Sequence, residues 1–562
     1  MKRRRAGILF LAAAGLALWL LARTDDPIPP VGHPEFLAPG RYSAIRSDHP
    51  EYEALFGLIR TTLFHSKTAF RAPSGFIRSF AAGAAYPQIW LRDAATIIPA
   101  SRFLYAAPYL RSGLIEHLSR QKPDGGLEDW FDGRGRADKN TTETDQETSA
   151  ILSAAQITDV IGPKWLGEKV NGATILGRLE QALLFVARAR IDEPRGLVKG
   201  AHTIDWGDVE MEEPDQRAIY AGLNTHWTAG IYNQGQFYAA SLRLAGMLQK
   251  TGSADHAAIW KKRAAALRAS VDRCLWQESR GFYRIHVHLT PFTHPFDEDA
   301  MFAMGGNVEA VLSGLASPDQ ARRIIETALT RQKEFHLSTI SGVLLPPYAR
   351  GVFKNPVVAE PYEYQNGGQW DWFGGKLLLA MFQNGFAAEA GPKLLEIARK
   401  NIANGGLFEW DTPNGAGRGS AFYSGSAGSL ARALIEGYYG IGVSDGELTL
   451  EPRLGADGGA IHVYLPASSR FVSYDYHFDE ERLELTISLA GDGTAKGTIR
   501  TLWPRCARDG KPLSFPGKID VRRDGAAVPY QVEKIGKDTY VCVETDGRHR
   551  TLKIRPNTKS SR

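Results

Sequence analysis

Apolar residues recur with helical spacing through most of the chain between residues 51 and 441. Long polar loops rich in Gly, Trp and acidic residues separate many of the helical segments, and loops of that length usually line a site. Paired amphipathic helices with alternating short and long connections predict two concentric rings of helices, a toroid with its long loops gathered at one face. The periodicity is clearest in residues 94–117, 147–160, 175–189, 228–248, 257–275, 308–315, 320–329, 373–386, 388–402 and 426–438.

The pattern changes after residue 441. Apolar and polar residues now alternate in short runs that are separated by Gly and Asp, as they do in β-strands with tight turns. The runs are residues 447–450, 460–464, 471–477, 483–489, 497–502 and 540–543. Residues 442–562 therefore predict a second, all-β domain of the size of a small sandwich.

The first 24 residues have the layout of a membrane signal. Lys2 to Arg5 are basic, and residues 6–22 form an uninterrupted apolar run. As a helix this run of about 17 residues would rise ~26 Å, enough for a thin bilayer. No small-x-small cleavage site follows it, which favours an uncleaved signal-anchor over a cleaved signal peptide. The positive-inside rule then predicts a body that is periplasmic or extracellular, anchored to the inner membrane or secreted. Residues 25–50 are predicted to form a tether with many Pro and Gly residues.

Composition narrows the class of protein. Hydrophobic residues make up 43% and charged residues 23% of the chain, which is typical of globular proteins. Much of the net charge of +5 lies at the N-terminus, and no stripe of Lys and Arg elsewhere alternates with aromatic residues. Nucleic acid is therefore not an expected partner.

Cysteine usage gives little evidence of a bound metal. The three cysteines form no CxxC pair, so neither a metal ion nor an organic cofactor is predicted. Cys506 and Cys542 both fall in the β-rich region and could pair in an oxidising compartment, which the sequence leaves open.

Four segments between the helical runs combine acidic and aromatic residues. They are residues 86–93, residues 124–133 with 142–147, residues 202–210, and residues 362–370 with 406–415. Structural roles explain part of this pattern, since Asp93 can cap a helix and Thr144 with Glu147 can form a capping box.

The acidic residues can also supply catalysis. Hydrolysis of a glycosidic bond needs one carboxylic acid to protonate the leaving oxygen and one carboxylate on the opposite ring face. An acid beside Trp can stay protonated near neutral pH because desolvation raises its pKa. Asp205 adjoins Trp206, and Glu409 lies between Phe408 and Trp410.

Taken in order, the four segments resemble the six-hairpin glycosidases, a group that includes glucoamylases, trehalases, neutral invertases, mannosylglycerate-hydrolase-like enzymes and glycoside hydrolase family 63. The resemblance covers roughly residues 52–440. Ile89-Trp90-Leu91-Arg92-Asp93 is similar to the W-x-R-D segment that binds the terminal sugar in that group. Tyr364-Gln365-Asn366-Gly367-Gly368-Gln369-Trp370 resembles the Y-x-N-G-G-x-W segment of neutral invertases.

The resemblance extends to both catalytic loops. Residues 407–415 resemble the F-x-E-x-Y-D-P-x-T-G loop that bears the second carboxylate, here Glu409. Asp205 occupies the chain position of the general-acid loop. The resemblance thus implies an (α/α)6 toroid, with Asp205 as acid and Glu409 as base. It also implies a sugar site that is shaped by Trp90, Arg92, Asp93, Glu128, Asp129, Trp130, Trp206, Gln365, Asn366 and Trp370.

The chain departs from the group in two respects. The acid loop reads His202-Thr203-Ile204-Asp205 instead of E-S-G-x-D, which makes Asp208 an alternative acid and leaves Glu363 as a further alternative carboxylate. The β domain follows the toroid, an order that looks more like rhamnosidases and sugar phosphorylases.

The leading hypothesis is an extracytoplasmic, inverting hydrolase of an oligo- or polysaccharide, whose two carboxyl groups would lie ~6.5–9.5 Å apart. A phosphorylase on the same fold is an alternative. A polysaccharide lyase is another, with Asn224, His226 and Tyr232 in its catalytic roles. A glycan-binding protein without activity is the third. The resemblance alone favours an α-glucoside as substrate, and the sequence specifies neither the linkage nor the oligomeric state.

Overall fold

The structure, a computed structural model, describes residues 35–139, 145–205, 225–294, 296–352, 356, 358–493 and 495–557. Twelve α-helices, numbered α1 to α12 in chain order, fill the part of the described chain before residue 433. Odd-numbered helices are Pro50–Ser66, Ala107–Ser119, Ile175–Ala189, Ala254–Cys274, Pro318–Glu334 and Ala387–Asn404. Even-numbered helices are Leu91–Ser101, Asp145–Ile161, Ile231–Lys250, Met304–Leu312, Asp371–Gln383 and Ser424–Arg432.

The even-numbered helices form a closed inner ring. Each packs against the next, from α2 to α4, α6, α8, α10 and α12, and α12 packs against α2 to close the circle. The odd-numbered helices form the outer layer and contact their inner neighbours, so that α3 packs on α2 and α4, and α9 packs on α8 and α10. The fold is therefore the (α/α)6 toroid that the sequence predicts.

Glycines allow the inner helices to approach one another closely. A Cβ atom on Gly428 of α12 would lie 2.3 Å from the backbone oxygen of Thr96 in α2. A Cβ atom on Gly375 of α10 would lie 2.6 Å from the backbone carbon of Ser429 in α12. Any larger residue at these two positions would push adjacent helices apart, so closure of the ring requires glycine there.

Short strands join the helices of the toroid. They form hairpins or small sheets beside the helix ends, and several of them lead directly into an inner helix. Their bounds are Lys67–Ala72 with Gly75–Phe80; Ile89–Trp90 with Trp130–Phe131 and Ala137–Asp138; Lys169–Val170 with Ala173–Thr174; Ile191–Asp192 with Leu197–Val198; Gly200–Ala201 with Trp227–Gly230 and His286–His288; Trp276–Gln277 with Phe282–Tyr283; Phe302–Ala303 with Leu344–Leu345; and Phe408–Asp411 with Gly417–Ala421.

The C-terminal region contains two larger sheets. The five-stranded sheet has the order Ile441–Ser444, Glu447–Leu450, Gly497–Trp503, Asp538–Thr545 and Gln531–Ile535. The seven-stranded sheet has the order Ala44–Ser47, Gly459–Leu465, Arg470–Asp479, Glu484–Gly491, Arg550–Pro556, Ile519–Arg523 and Ala526–Ala527. Their buried residues belong to the same hydrophobic cluster as the toroid core.

One strand of the seven-stranded sheet comes from the segment that the sequence assigned to the tether. Ala44–Ser47 pairs antiparallel with Gly459–Leu465 at the edge of the sheet. The hydroxyl of Ser43 donates a hydrogen bond to the carbonyl of Phe103 at 2.7 Å, which joins this edge to the toroid. The β domain is therefore built from both ends of the described chain.

The structure also divides one predicted helix. Residues 94–117, expected as a single segment, belong to α2, which ends at Ser101, and to α3, which begins at Ala107. Pro108 lies in the first turn of α3, where its missing N–H has no cost, and it disfavours helical geometry in the residue before it. The break makes α2 an inner helix and α3 an outer one.

Two other expectations concern the ends of the chain. Across the described residues, no helix has both the length and the apolar character needed to cross a bilayer. The predicted signal-anchor, residues 1–24, lies outside the described residues. Cys506 is exposed, Cys542 is buried, and neither is in a disulfide.

Replacing Gly428 by Ala should test the closure of the inner ring. We expect Gly428→Ala to lower the free energy of unfolding by about 1–3 kcal/mol, because the methyl group overlaps the backbone of α2. The measurement is the urea midpoint by circular dichroism. Gly246→Ala in α6 is the matched control, since a Cβ there meets nothing within 4 Å. The control should gain up to about 1 kcal/mol of stability from helix propensity. Equal stability of the two variants would contradict the packing argument.

Candidate active site

The inner helices begin at the same end of the ring. Arg92, in the first turn of α2, forms a buried ion pair with Asp145, the first residue of α4. The ring of Tyr423, directly before α12, lies 6.2 Å from that of Trp370, directly before α10. We call this end the N-terminal face. Helix N-termini carry free N–H groups and partial positive charge, so this face favours carboxylates.

Glu409 is a buried carboxylate at the N-terminal face. Glu409 belongs to the strand Phe408–Asp411 and is 4% exposed. The hydroxyl of Tyr86 donates to Oε1 at 2.8 Å, and that of Tyr364 donates to the same oxygen at 3.4 Å. The backbone N–H of Ser420 donates to Oε2 at 2.9 Å. Three donors on one carboxylate favour its ionised form.

Aromatic and acidic side chains surround Glu409. The ring of Tyr364 packs edge-on against Trp370 at 4.9 Å and against Trp410 at 6.5 Å. Burial raises the pKa of Tyr423 well above its ordinary value, and the charges of Asp93 and Glu409 raise it further. Tyr423 therefore stays a neutral phenol beside two acids.

The ion pair of Arg92 and Asp145 lies at the base of this face. Nη2 of Arg92 also donates to Oδ1 of Asp145 at 3.3 Å, so the guanidinium bonds both oxygens. Burial raises the pKa of Tyr232 well above its ordinary value, with Asp145, Glu309 and Asp205 adding to the rise. Arg92 is thus a structural cation in a buried acidic environment.

Asp205 is bound to the start of α8. The backbone N–H groups of Gly305 and Gly306 donate to its two oxygens, each at 2.9 Å. Burial raises the pKa of Asp205 to about 7, although the N–H groups of Gly306 and Gly305 lower it. A Cβ on Gly305 would lie 2.5 Å from the carboxylate, so glycine is needed for this contact. Asp205 is 7% exposed, and its two hydrogen bonds connect its segment to the inner ring.

A buried charged triad supports the strand that bears Glu409. Nζ of Lys400, in α11, bonds Asp371 at 2.6 Å and also bonds Asp411. Asp371 is the first residue of α10, and Asp411 is the last residue of the Glu409 strand. Burial raises the pKa of Asp411, Lys400 opposes the rise and Asp371 adds to it. The strand is therefore tied to an inner helix through one lysine.

Several predicted sugar contacts do lie near one another. The rings of Trp90 and Trp130 are 6.1 Å apart, and both residues are partly exposed, as a stacking surface for a sugar requires. Asp129 is 2% exposed and Glu128 is half-buried on the same loop. Together with Asp93, which is 5% exposed, they give this face aromatic and acidic groups.

Two other predicted contacts, Asn366 and Trp370, make hydrogen bonds within their own loop region. The amide oxygen of Asn366 accepts the backbone N–H of Tyr348, and its amide nitrogen donates to backbone carbonyls, so its side chain shapes the loop. The indole of Trp370 is buried and donates to the carbonyl of Tyr364 at 3.0 Å, which leaves no free ring face for a sugar. Gln365 is fully buried, and neither polar atom of its amide has a hydrogen-bond partner among the described residues. The sequence pattern alone does not distinguish residues that support a loop from residues that contact a sugar.

Of the remaining candidate residues, one lies within the described residues and two lie outside them. Glu363, an alternative carboxylate, is exposed in a turn that bridges to Asn366. Asp208, the alternative acid, and Trp206 lie outside the described residues.

Sequence reasoning missed two kinds of residue. Tyr86 is in the segment singled out for Trp90, but nothing in the local pattern indicates that its hydroxyl reaches Glu409, 323 positions later. His202, His286, His288 and Glu298 have ligand atoms within 4.8 Å of one another, which is the kind of side-chain set that binds metal ions. The alternation His286-Val287-His288 on a strand was the available signal, since it puts both imidazoles on one face.

A cavity of about 310 Å³ lies along the axis of the inner ring. All six inner helices contribute to its wall, with Arg92, Tyr232 and Trp372 from their first turns. Glu309 and Lys376, which form an ion pair, lie deeper in the wall. The centre of the toroid is therefore partly open and polar.

This toroid with its β domain is similar in fold to several solved structures, most of them glycosidases. The α-L-rhamnosidase from Dictyoglumus thermophilum is similar over 94% of this chain and 52% of its own, with a TM-score of 0.60 and 12% identity. The GH78 family rhamnosidase of Bacillus sp. GL1 is similar over 81% of this chain and 42% of its own, with a TM-score of 0.57 and 14% identity. A sialidase is similar over 81% of this chain and 40% of its own, with a TM-score of 0.58 and 14% identity.

This chain spans about half the length of these proteins or less. Neither a protein-family model nor a curated protein sequence matches it. The likeness is therefore one of fold.

Removal of the cation at position 400 should destabilise the protein strongly. We expect Lys400→Met to cost about 3–5 kcal/mol, because it leaves two buried carboxylates without their shared partner. Thermal unfolding by scanning calorimetry at pH 7 is the measurement. Arg322→Met, which removes an exposed partner of Asp319 and Glu326, is the control and should leave the midpoint unchanged. An unchanged midpoint for Lys400→Met as well would show that the triad does not support the strand.

Proposed function

We propose that this protein is a glycoside hydrolase that cleaves an oligo- or polysaccharide with inversion, using Glu409 as the general base. The observation that supports this most strongly is the setting of Glu409. It is a buried carboxylate at the N-terminal face of the toroid, fixed by two tyrosine hydroxyls and one backbone N–H.

The base must be ionised and must be positioned before the sugar arrives. Hydrogen bonds from Tyr86, Tyr364 and Ser420 favour the carboxylate over the carboxylic acid. The Lys400 triad fixes the strand from the other side. A carboxylate held in this way takes a proton from water without first reorganising, which lowers the barrier.

Asp205 is the proposed acid. Burial raises its pKa to about 7, so a large fraction is protonated in neutral solution and can donate to a leaving oxygen. Its two hydrogen bonds to α8 support the opposing possibility, that it only anchors the segment that leads to Asp208. The experiments below separate these two roles.

Partly exposed Trp90 and Trp130 are the proposed stacking surface for a sugar ring. Asp93, whose charge acts on Tyr423 as that of Glu409 does, is the proposed acceptor for sugar hydroxyls.

The structural neighbours guide the choice of substrate. Two of them are named rhamnosidases, so α-L-rhamnosides join α-D-glucosides as the first compounds to test. The basic and apolar N-terminal segment supports a location outside the cytoplasm, at the inner membrane or beyond it.

The alternative activities have weaker support. A phosphorylase uses phosphate where this protein has the carboxylate of Glu409. A lyase would need a basic Tyr232, but burial and three neighbouring carboxylates raise the pKa of that phenol. His226 bonds His288 instead of projecting alone, and Asn224 lies outside the described residues.

Substitution of the base should abolish hydrolysis. We expect Glu409→Gln to lower kcat/KM by about 10²–10⁴-fold, since it removes proton transfer and leaves the shape of the side chain. The assay is release of sugar from a panel of aryl and natural α-L-rhamnosides and α-D-glucosides, with the anomer of the product read by NMR. Glu334→Gln, on the outer helix α9, is the control and should keep full activity.

Retained activity in Glu409→Gln would show that another residue is the general base, and Glu363 would be the next candidate to test. Absence of hydrolysis by the parent would overturn the proposal. If phosphate then restored cleavage, the phosphorylase would replace it, and unsaturated ends on uronic polymers would favour the lyase.

The dependence on pH and leaving group should identify the acid. If Asp205 donates the proton, the protonated form is active, so kcat/KM should fall as pH rises through about 7. Asp205→Asn should then lose about 10²–10⁴-fold on natural glycosides but far less on aryl glycosides whose leaving group needs no protonation. If Asp205 only anchors the segment, both substrate types should lose activity equally. Asp208→Asn, run in parallel, would then show the selective loss.

A further inference from the structure

A cluster of imidazoles lies beside the segment that contains Asp205. His202 precedes Asp205 by three residues. His286 and His288 lie on the strand that pairs with Trp227–Gly230, and Glu298 begins a short 3₁₀ turn before α8. Their ligand atoms all fall within 4.8 Å of one another. Four side chains from three separate parts of the chain thus meet at one point.

The spacing of the ligand atoms is close to the spacing around a tetrahedral metal ion. Oε2 of Glu298 is 2.8 Å from Nε2 of His288 and 3.3 Å from Nε2 of His286. Nε2 of His202 is 4.0 Å from Oε1, too far for a hydrogen bond. Zinc bonds to nitrogen and oxygen of about 2.0–2.1 Å in a tetrahedron put ligand atoms about 3.3 Å apart. The observed separations lie on both sides of that value, so a small adjustment of side chains would complete the shell.

Outer contacts orient two of the ligands. Nδ1 of His288 is 3.1 Å from Nε2 of His226, which fixes the ring and leaves Nε2 facing the cluster. The hydroxyl of Tyr348 donates to Oε1 of Glu298 at 2.5 Å, which leaves Oε2 facing His286 and His288. Metal sites in proteins have such second contacts on histidine and carboxylate ligands, and they hold the ligand atoms in position.

The cluster is also shielded. His202, His286 and Glu298 are buried, and His288 is partly buried. The ring of Phe292 stacks on His288 at 4.9 Å and packs edge-on against His202 at 4.8 Å. An apolar cover of this kind lowers the local dielectric and slows exchange of a bound ion.

We propose that His202, His286, His288 and Glu298 bind one divalent transition-metal ion, with Zn²⁺ preferred. Three imidazole nitrogens and one carboxylate oxygen select such an ion over Ca²⁺ and Mg²⁺, which prefer oxygen ligands. Four protein ligands fill a tetrahedral shell, as in structural sites. The ion joins the segment before Asp205 to the strand His286–His288 and to the turn before α8.

This proposal does not depend on the proposed hydrolase, and its test needs no substrate. The full chain is purified without a polyhistidine tag, dialysed against metal-free buffer and analysed for metals by plasma mass spectrometry. We expect about one transition-metal ion per chain. Calcium or magnesium alone, or less than about a tenth of an ion per chain even after incubation with Zn²⁺ and dialysis, would overturn the proposal.

Variants identify the ligands. His288→Ala and Glu298→Gln should each reduce the metal content per chain by at least about tenfold, because each removes a ligand. His256→Ala, which removes an exposed histidine of the outer layer, is the matched control and should keep it. Circular dichroism checks that each variant folds. Since a ligand variant could lose metal by misfolding, Co²⁺ is also exchanged into the parent protein. Visible d–d bands of tetrahedral intensity are expected, and bands of octahedral intensity would contradict the four-ligand shell.

Discussion

The inner helices of this protein all present their N-termini to one face, and the positive potential that they create there governs the chemistry of the site. Carboxylates occupy the first turns of three of these helices, at Asp93, Asp145 and Asp371, and Asp205 binds the first turn of a fourth from outside. Each acid lies where a helix end stabilises its charge. The helix ends offset part of the cost of burying these acids, although burial still raises the pKa of Asp205 to about 7. The same arrangement depends on the close helix contacts at Gly375 and Gly428, because a wider ring would separate the helix ends.

Fixed lysine and arginine side chains divide this acidic set into groups with different tasks. Arg92 pairs with Asp145, and Lys400 pairs with Asp371 and Asp411, so these acids are bound to cations inside the protein. Glu409, which is also buried, accepts hydrogen bonds from two tyrosine hydroxyls and the backbone N–H of Ser420. Such donors favour the ionised form of a carboxylate without adding a charge of their own.

The sequence predicts the layers of this fold well, because helix and strand periodicities are local properties. It also predicts the segments around Trp90, Asp205 and Glu409, where acidic and aromatic residues are adjacent in the chain. It could not predict that Asn366 and Trp370 support a loop, since that role depends on the backbone of residues 348 and 364. Ala44–Ser47 was missed for a similar reason, because four residues of edge strand have no periodicity until their partner at 459–465 is known. The histidine cluster needed contacts across 96 positions, from His202 to Glu298.

The edge strand has a consequence for any shortened form of this protein. Ala44–Ser47 covers one side of Gly459–Leu465, a strand whose residues are all buried. A chain that begins at α1, where the helical body starts, would leave the main-chain groups of Gly459–Leu465 unpaired along an apolar edge. Uncovered edges of this kind pair with one another between molecules. The four residues Ala44–Ser47 therefore protect the protein from aggregation. The shortest chain that stays monodisperse must include them.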